Sequence, residues 1–122
     1  MNGAMGTLFE RIGGDGAMMA AVNLFYEKVC ADDLVGPFFT ELDMDKQTMK
    51  QVAFLSRALG GPKEFHGRDL REAHAHLGLT DAHFDRVADI LTATLKEMGV
   101  ADDLIGEVGA IVETTRDAVL DR

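Results

Sequence analysis

The sequence predicts an all-α fold. Apolar residues recur at three- and four-residue spacing, glycine and proline break the runs, and no stretch alternates with period two long enough to make a strand. Four main helices joined by short connecting pieces follow from this pattern.

A short apolar opening around Leu8, Phe9 and Ile12 stops at Gly13-Gly14 and Gly16. Ala21, Phe25 and Val29 then recur every fourth residue, with Val22 and Leu24 beside them, which predicts an amphipathic helix over about 16–31. Gly36-Pro37 interrupts. Met44, Gln47, Gln51, Phe54, Leu55 and Ala58 hold helical spacing from about 44 to 59, with Asp43 or Asp45 as cap and Gly60 as stop. Thr80 or Asp81 opens the next helix, with Phe84, Val87, Ala88, Leu91 and Leu95 inward and Gly99 as its stop. The last helix is expected over about 102–120 on Leu104, Ile105, Val108, Ile111, Val112 and Val119. Segment 60–73 carries Gly60, Gly61, Pro62 and Gly67 with little periodicity. It reads as a long irregular connection, of the kind that is functional or mobile in compact domains. A short helical turn is expected around Leu70–Leu77.

At 122 residues the chain makes one domain, within the usual range of roughly 100–150 residues. A chain of this length buries roughly two thirds of its surface and needs no disulfide. The single cysteine, Cys30, excludes an internal disulfide and a Cys-x-x-Cys-His haem attachment, and fits a reducing compartment. With 12 basic and 21 acidic residues the net charge is −9, which argues against a nucleic-acid or anionic-membrane surface. No apolar run approaches the ~20 residues of a membrane span, and no secretory signal pattern opens the chain. A small acidic domain in the cytoplasm is expected.

Several residues break the helical logic. Gln47, Lys50, Gln51 and Phe54 share one face of the central helix at i, i+3, i+4 and i+7. Two readings are open: an edge of the helix turned to water, or a polar patch inside an apolar pocket. A buried amide left without partners costs about 1–3 kcal/mol. Tyr26 is the only tyrosine, and a buried hydroxyl needs a partner. Phe38-Phe39 after Pro37 places two large rings in a turn, as a core plug or as the wall of a site for a flat ligand. The histidines are His66, His74, His76 and His83, with no His-Glu-x-x-His or Glu-x-x-His pair among them. A single histidine suffices for iron when a porphyrin supplies the other four donors. Spacing alone does not choose between His74 and its neighbours.

Taken together, these fragments resemble the truncated haemoglobins of the first group, the bacterial, cyanobacterial and protozoan type. The similarity runs from Leu8 to Leu120. It is carried by Leu8-Phe9-Glu10-Arg11-Ile12-Gly13-Gly14, Phe25-Tyr26, Pro37-Phe38-Phe39, Asp43-Met44 to Lys46-Gln47, Gln51-x-x-Phe54-Leu55, Gly60-Gly61 and Gly67-Arg68-x-Leu70-Arg71-Glu72-Ala73-His74. The resemblance implies a two-over-two helical sandwich around haem, with an extended loop replacing most of one long helix. Residues 6–122 then form a single globin domain, and residues 1–5 a mobile N-terminal extension.

Carried over by motif, His74 matches the proximal ligand of the haem iron. Phe39 matches the aromatic haem wall, with Phe38 beside it. Tyr26, Gln47 and Gln51 match the distal cluster that donates hydrogen bonds to a polarised ligand. Phe54 and Leu55 match apolar haem contacts, and Lys46 and Arg68 match propionate partners. Lys50 stands where some relatives carry a histidine that binds the iron from the distal side. Thr114-Thr115 stand near where some cyanobacterial relatives carry a histidine that becomes linked to a haem vinyl, so a noncovalent haem b is implied.

The function implied is binding of O2, NO and CO, through storage or transport of O2 or nitric oxide dioxygenation to nitrate with a separate, unidentified reductase. Small residues such as Ala53, Ala93 and Ala110 would leave room for an apolar route. The alternatives are a redox, peroxidase-like or gas-sensing haem protein with Lys50 as sixth iron ligand at rest, or a haem-free helical interaction module. A monomer is expected, with no nucleic-acid or membrane partner.

Overall fold

The computed structural model describes residues 7–60, 74 and 77–120. Helix α1 (Leu8–Ile12) opens on a reciprocal cap. Thr7 Oγ1 accepts from the Glu10 amide at 3.2 Å, and Glu10 Oε1 accepts from the Thr7 amide at 2.9 Å. Gly13, at φ +134°, turns the chain directly into α2 (Gly14–Ala31), and a Cβ there would stand 2.7 Å from that of Ala17. Met18, Ala21, Val22, Phe25, Tyr26 and Val29 form the buried stripe of α2. Leu24, beside that stripe in the sequence pattern, is half-buried.

The chain leaves α2 through Asp32. Its side chain is 5% exposed and accepts from the Leu34 and Val35 amides (3.0 and 3.1 Å) and from Arg86 Nε (2.6 Å). That turn leads into a short 3-10 helix, Gly36–Phe39, which carries Phe38 and Phe39. Gly36 is needed there because a Cβ would lie 2.8 Å from the Cys30 carbonyl oxygen and 3.2 Å from that of Val29. Both obstacles are backbone and cannot rotate away. Gly36→Ala is expected to cost about 1–3 kcal/mol, the usual penalty for overpacking, read as a lower urea midpoint at unchanged slope.

Arg86, hydrogen-bonded to Asp32, holds that carboxyl below the usual carboxylate range, against the opposing effect of burial and with help from the two amides. A carboxyl with a lower pKa folded than unfolded stabilises the fold above its unfolded value, about 3.9. The contribution disappears as pH falls through the lower folded value. Asp32→Asn should therefore unfold at lower denaturant at pH 7 and lose less stability than the unaltered protein on acidification to pH 2. Parallel acid curves would remove Asp32 from that account.

Helix α3 (Met44–Ala58) is capped by Asp43, whose Oδ1 accepts from the amides of Asp45 and Lys46. Its end is tied to α1 by the Phe9 amide, which donates to the Leu59 carbonyl at 2.8 Å. Helix α4 (Asp81–Glu97) follows Thr80 as cap. Helices α5 (Asp102–Glu113) and α6 (Arg116–Val119) replace the single last helix expected over 102–120. The break falls at Thr114–Thr115, where each hydroxyl donates to the carbonyl three residues back, Ile111 and Val112 respectively. Their amides do the same, so the ladder tightens and restarts. Arg116 then anchors α6 through Glu113, Asp81 and Asp85 and lies 4.5 Å from the Phe84 ring centre.

Helix α2 is the hub: it packs on α1, α3, α4 and the 36–39 turn, while α4 packs on α5 and α1 also reaches α5. The core joins Met18, Val22 and Val29 to Leu55, Leu59, Leu91, Leu95, Ile105 and Val108. Thr94 is fully buried among them, its hydroxyl satisfied by the Ile90 carbonyl at 2.8 Å. A small cavity of about 30 Å³ between α4 and α5 is lined by Ala88, Leu91, Leu95, Ile105, Val108 and Gly109 among others. Ala93 and Ala110, expected to leave apolar room, are instead exposed, because their positions fall on the outer faces of those helices. No strand occurs among the described residues, and no described helix is long and apolar enough to cross a membrane.

Candidate functional site: a tyrosine–glutamine pair beside an aromatic wall

Tyr26 sits in the buried stripe of α2, only 6% exposed. Its ring packs against Phe25 on the same helix (5.1 Å between centroids) and against Phe39 across the turn (5.5 Å). Its hydroxyl is met from α3 by Gln47, whose Nε2 donates to Oη at 3.1 Å. Accepting that bond leaves the phenolic hydrogen available to point elsewhere. Burial pushes the Tyr26 hydroxyl above the ordinary phenol value, against the lowering effect of the Gln47 bond, with a smaller push upward from Cys30. The group is therefore a neutral O–H donor across the physiological pH range.

Gln51 lies one turn along α3 from Gln47 and is half-buried, as is Phe54 one turn further. The two readings of this face resolve at Gln47, which is neither in open water nor unpartnered. Leu55, grouped with Phe54 by the motif, is only 4% exposed and joins Met18, Leu91, Leu95 and Val108 around a small interior gap. It faces the interhelical core, because α3 packs along α2 through that edge. Phe39 and Phe54, with Val87 and Ile90 of α4, pack on the core yet stay partly uncovered. A flat apolar group would complete their burial, and the donor chemistry of Tyr26 fits a polarised ligand held on such a group.

The charged candidates are placed differently. Lys46 and Lys50 are both exposed. Arg68 lies outside the described residues, as do residues 1–6, most of the expected loop over 60–73 and part of the expected turn around 70–77. His74 is described: it has helical backbone geometry and a half-buried side chain. Phe38 is half-buried and meets His83 edge-on, ring centroids 5.2 Å apart at 87°.

The Asp32–Arg86 pair and Gly36, which hold the aromatic turn in place, were not expected. A signal existed in the sequence, since Asp followed by Gly-Pro four residues on suits a turn closed by the Asp side chain.

The bacterial-like globin family profile matches residues 7–121. A protein of Tetrahymena pyriformis described as a group 1 truncated hemoglobin is 47% identical over 114 residues, covering 93% of this chain and 94% of that protein. The chain belongs to the group 1 truncated haemoglobins. One from a Synechocystis strain is 51% identical over 111 residues, covering 88% of this globin and 90% of that one.

The fold agrees. The solved Tetrahymena pyriformis truncated hemoglobin in its Fe(III) form superposes on this globin with a TM-score of 0.89 at 47% identity, over 94% of this chain and 98% of that one. The 2/2 hemoglobin of Synechococcus sp. PCC 7002, solved in the cyanomet state with covalently attached heme, gives 0.91 at 46% identity, over 96% and 100%. Membership supports haem-based binding of diatomic ligands by this truncated haemoglobin.

Solved variants of the Tetrahymena protein include one with a tyrosine changed to phenylalanine and two with a glutamine changed to glutamate. The three altered positions are 21 and 4 residues apart. Those are the separations of Tyr26, Gln47 and Gln51 here.

Proposed function

We propose that this truncated haemoglobin is a haem b protein that binds O2 and other diatomic ligands, with Tyr26 as the principal distal donor. The observation that carries this reading is the direction of the Gln47–Tyr26 bond. Because Gln47 donates to the phenolic oxygen, the phenolic hydrogen is left for another acceptor, and an O–H held in this way would stabilise a ligand that gains negative charge. Gln51, half-buried one turn along, is placed to add a second amide donor. Phe39 and Phe54 exclude water from the same space, with Leu55 supporting Phe54's helix from the core side. When bound, haem supplies the iron that takes up the diatomic ligand. His74 is proposed as its proximal holder, with Phe38, Lys46, Lys50 and Arg68 at its margin.

The same polar set supports nitric oxide dioxygenation, in which O2, NO and one electron combine to nitrate. The electron comes from a separate reductase. The haem is proposed to be noncovalent, since Thr114 and Thr115 donate their hydroxyls to backbone and offer no imidazole to a vinyl group.

Absorption spectroscopy of the purified protein tests the reading. A Soret band is expected, with distinct ferrous, O2 and CO forms after dithionite, and haem extractable into acidified organic solvent. With Lys50 exposed, Lys50→Ala should leave the ferric spectrum unchanged between pH 6 and 10. A protein purified and reconstituted without a Soret band would end the proposal, and a ferric spectrum that changes in Lys50→Ala would establish the lysine-ligated alternative.

A further inference from the structure

The N-terminus of α4 carries an unusual cap. Its third residue, His83, reaches back so that Nδ1 lies 3.0 Å from the Thr80 amide nitrogen and 3.1 Å from Thr80 Oγ1. An amide N–H can only donate, so Nδ1 accepts and the ring is neutral, with its hydrogen on Nε2. In the common form of this cap the third residue is Glu or Gln, whose carbonyl or carboxylate oxygen accepts near neutral pH. An imidazole accepts only while unprotonated.

We propose that His83 makes the start of α4 a proton-sensitive joint between that helix and the turn carrying the aromatic wall. Protonation places an N–H at Nδ1 against the Thr80 amide N–H, and the two donors cannot bond. The charged ring can instead donate Nδ1–H to Thr80 Oγ1, but only by releasing the amide. The helix N-terminus, with its own partial positive charge, opposes a cation there as well. On its other side the ring stands edge-on to Phe38 (5.2 Å, 87°), and the neighbouring Phe39 packs against Tyr26. A reorientation of His83 therefore reaches the wall of the site through one intervening residue.

Several of the charged groups on the elements that meet here pair with one another, while Asp89 of α4 and Asp33 act on Arg86 through its charge. On α4, Asp81 and Asp85 bind Arg116 of α6, and Arg86 binds Asp32 at the end of α2. The Gly36–Phe39 turn brings no titratable side chain. Among the described residues, the hydrogen-bonding partner of the ring is Thr80.

The test uses uniformly 15N-labelled full-length protein as purified, reduced under carbon monoxide, followed by NMR between about pH 8 and 5, where imidazoles titrate. The Thr80 amide resonance and the Phe38 ring resonances are expected to move with the midpoint of the His83 ring. After correction for intrinsic pH dependence, Thr80 amide exchange should rise between about two- and tenfold at the acid end, the effect of one lost hydrogen bond. His83→Gln, which retains an acceptor at every pH, should abolish all three changes. A Thr80 amide that is flat in the unaltered protein, or that titrates equally in His83→Gln, would overturn the proposal. So would Phe38 resonances that ignore the His83 midpoint.

Discussion

Replacing His74 with glycine should remove most of the Soret absorbance of the purified protein, and added imidazole should restore it. Of the four histidines in the chain, His74 is the one the motif places as proximal ligand, and it is half-buried in helical backbone. His83 is committed through Nδ1 to the cap of α4. The single Cys30 offers no thioether attachment, so on the proposed noncovalent reading the iron–histidine bond and apolar burial of the porphyrin would retain the group. Deleting the side chain leaves a space the size of the missing ring, which free imidazole can fill. His76→Gly and His83→Gln should keep the native spectrum. An unchanged Soret band in His74→Gly would displace this residue from the proximal role, whereas a Soret band lost only in His76→Gly would move the role two positions along.

The second large effect is expected at Tyr26. Tyr26→Phe preserves the ring contacts with Phe25 and Phe39 and removes only the hydroxyl that Gln47 holds. A hydrogen bond to a charged acceptor contributes about 1.5–3 kcal/mol, so O2 dissociation should accelerate roughly ten- to a hundredfold. Dissociation of CO, which gains far less charge, should change little. Gln47→Leu should speed O2 loss by a smaller factor, because it frees the phenol to rotate without deleting it. The double variant should resemble Tyr26→Phe rather than the product of the two, since Gln47 acts through Tyr26. Additive effects in stopped-flow displacement would instead mean that Gln47 contacts the ligand independently. Because burial holds the Tyr26 hydroxyl above the ordinary phenol range, the difference between Tyr26→Phe and the unaltered protein should be constant from about pH 6 to 9.

Much of the helical architecture was legible from spacing. The apolar repeats placed α2, α3 and α4 within about two residues of their observed ends, and the Asp43 and Thr80 caps stand where short polar residues precede apolar runs. Helix α1 was not predicted: five residues are too few to show a period, and the Thr7-x-x-Glu10 cap that opens it went unread. The interruption at Thr114–Thr115 was hidden, because threonine is compatible with a helix until its hydroxyl takes the carbonyl that the ladder would use.

The candidate site divides in the same way. Motif resemblance singled out Tyr26, Phe39, Gln47, Gln51 and His74 as a set, while periodicity could say only that Gln47 and Gln51 share a face. Leu55 shows the limit of both: one residue beyond Phe54, it turns into the core because α3 rotates by about 100° per residue, and packing against α2 decides which side is covered. Likewise the separation of Asp32 from Arg86, 54 residues along the chain, hides a bond of 2.6 Å.

What the sequence by itself determined is the local part: helical content, most helix ends, the acidic balance and the motif that assigns the family. Those depend on residues three or four apart and on order along the chain. Only the tertiary structure decided that Gln47 donates to Tyr26, that Phe39 stands against the same ring, and that Asp32 and Gly36 hold the aromatic turn in place. Each of these is set by the approach of helices distant in sequence, where a few ångströms separate a hydrogen bond from none.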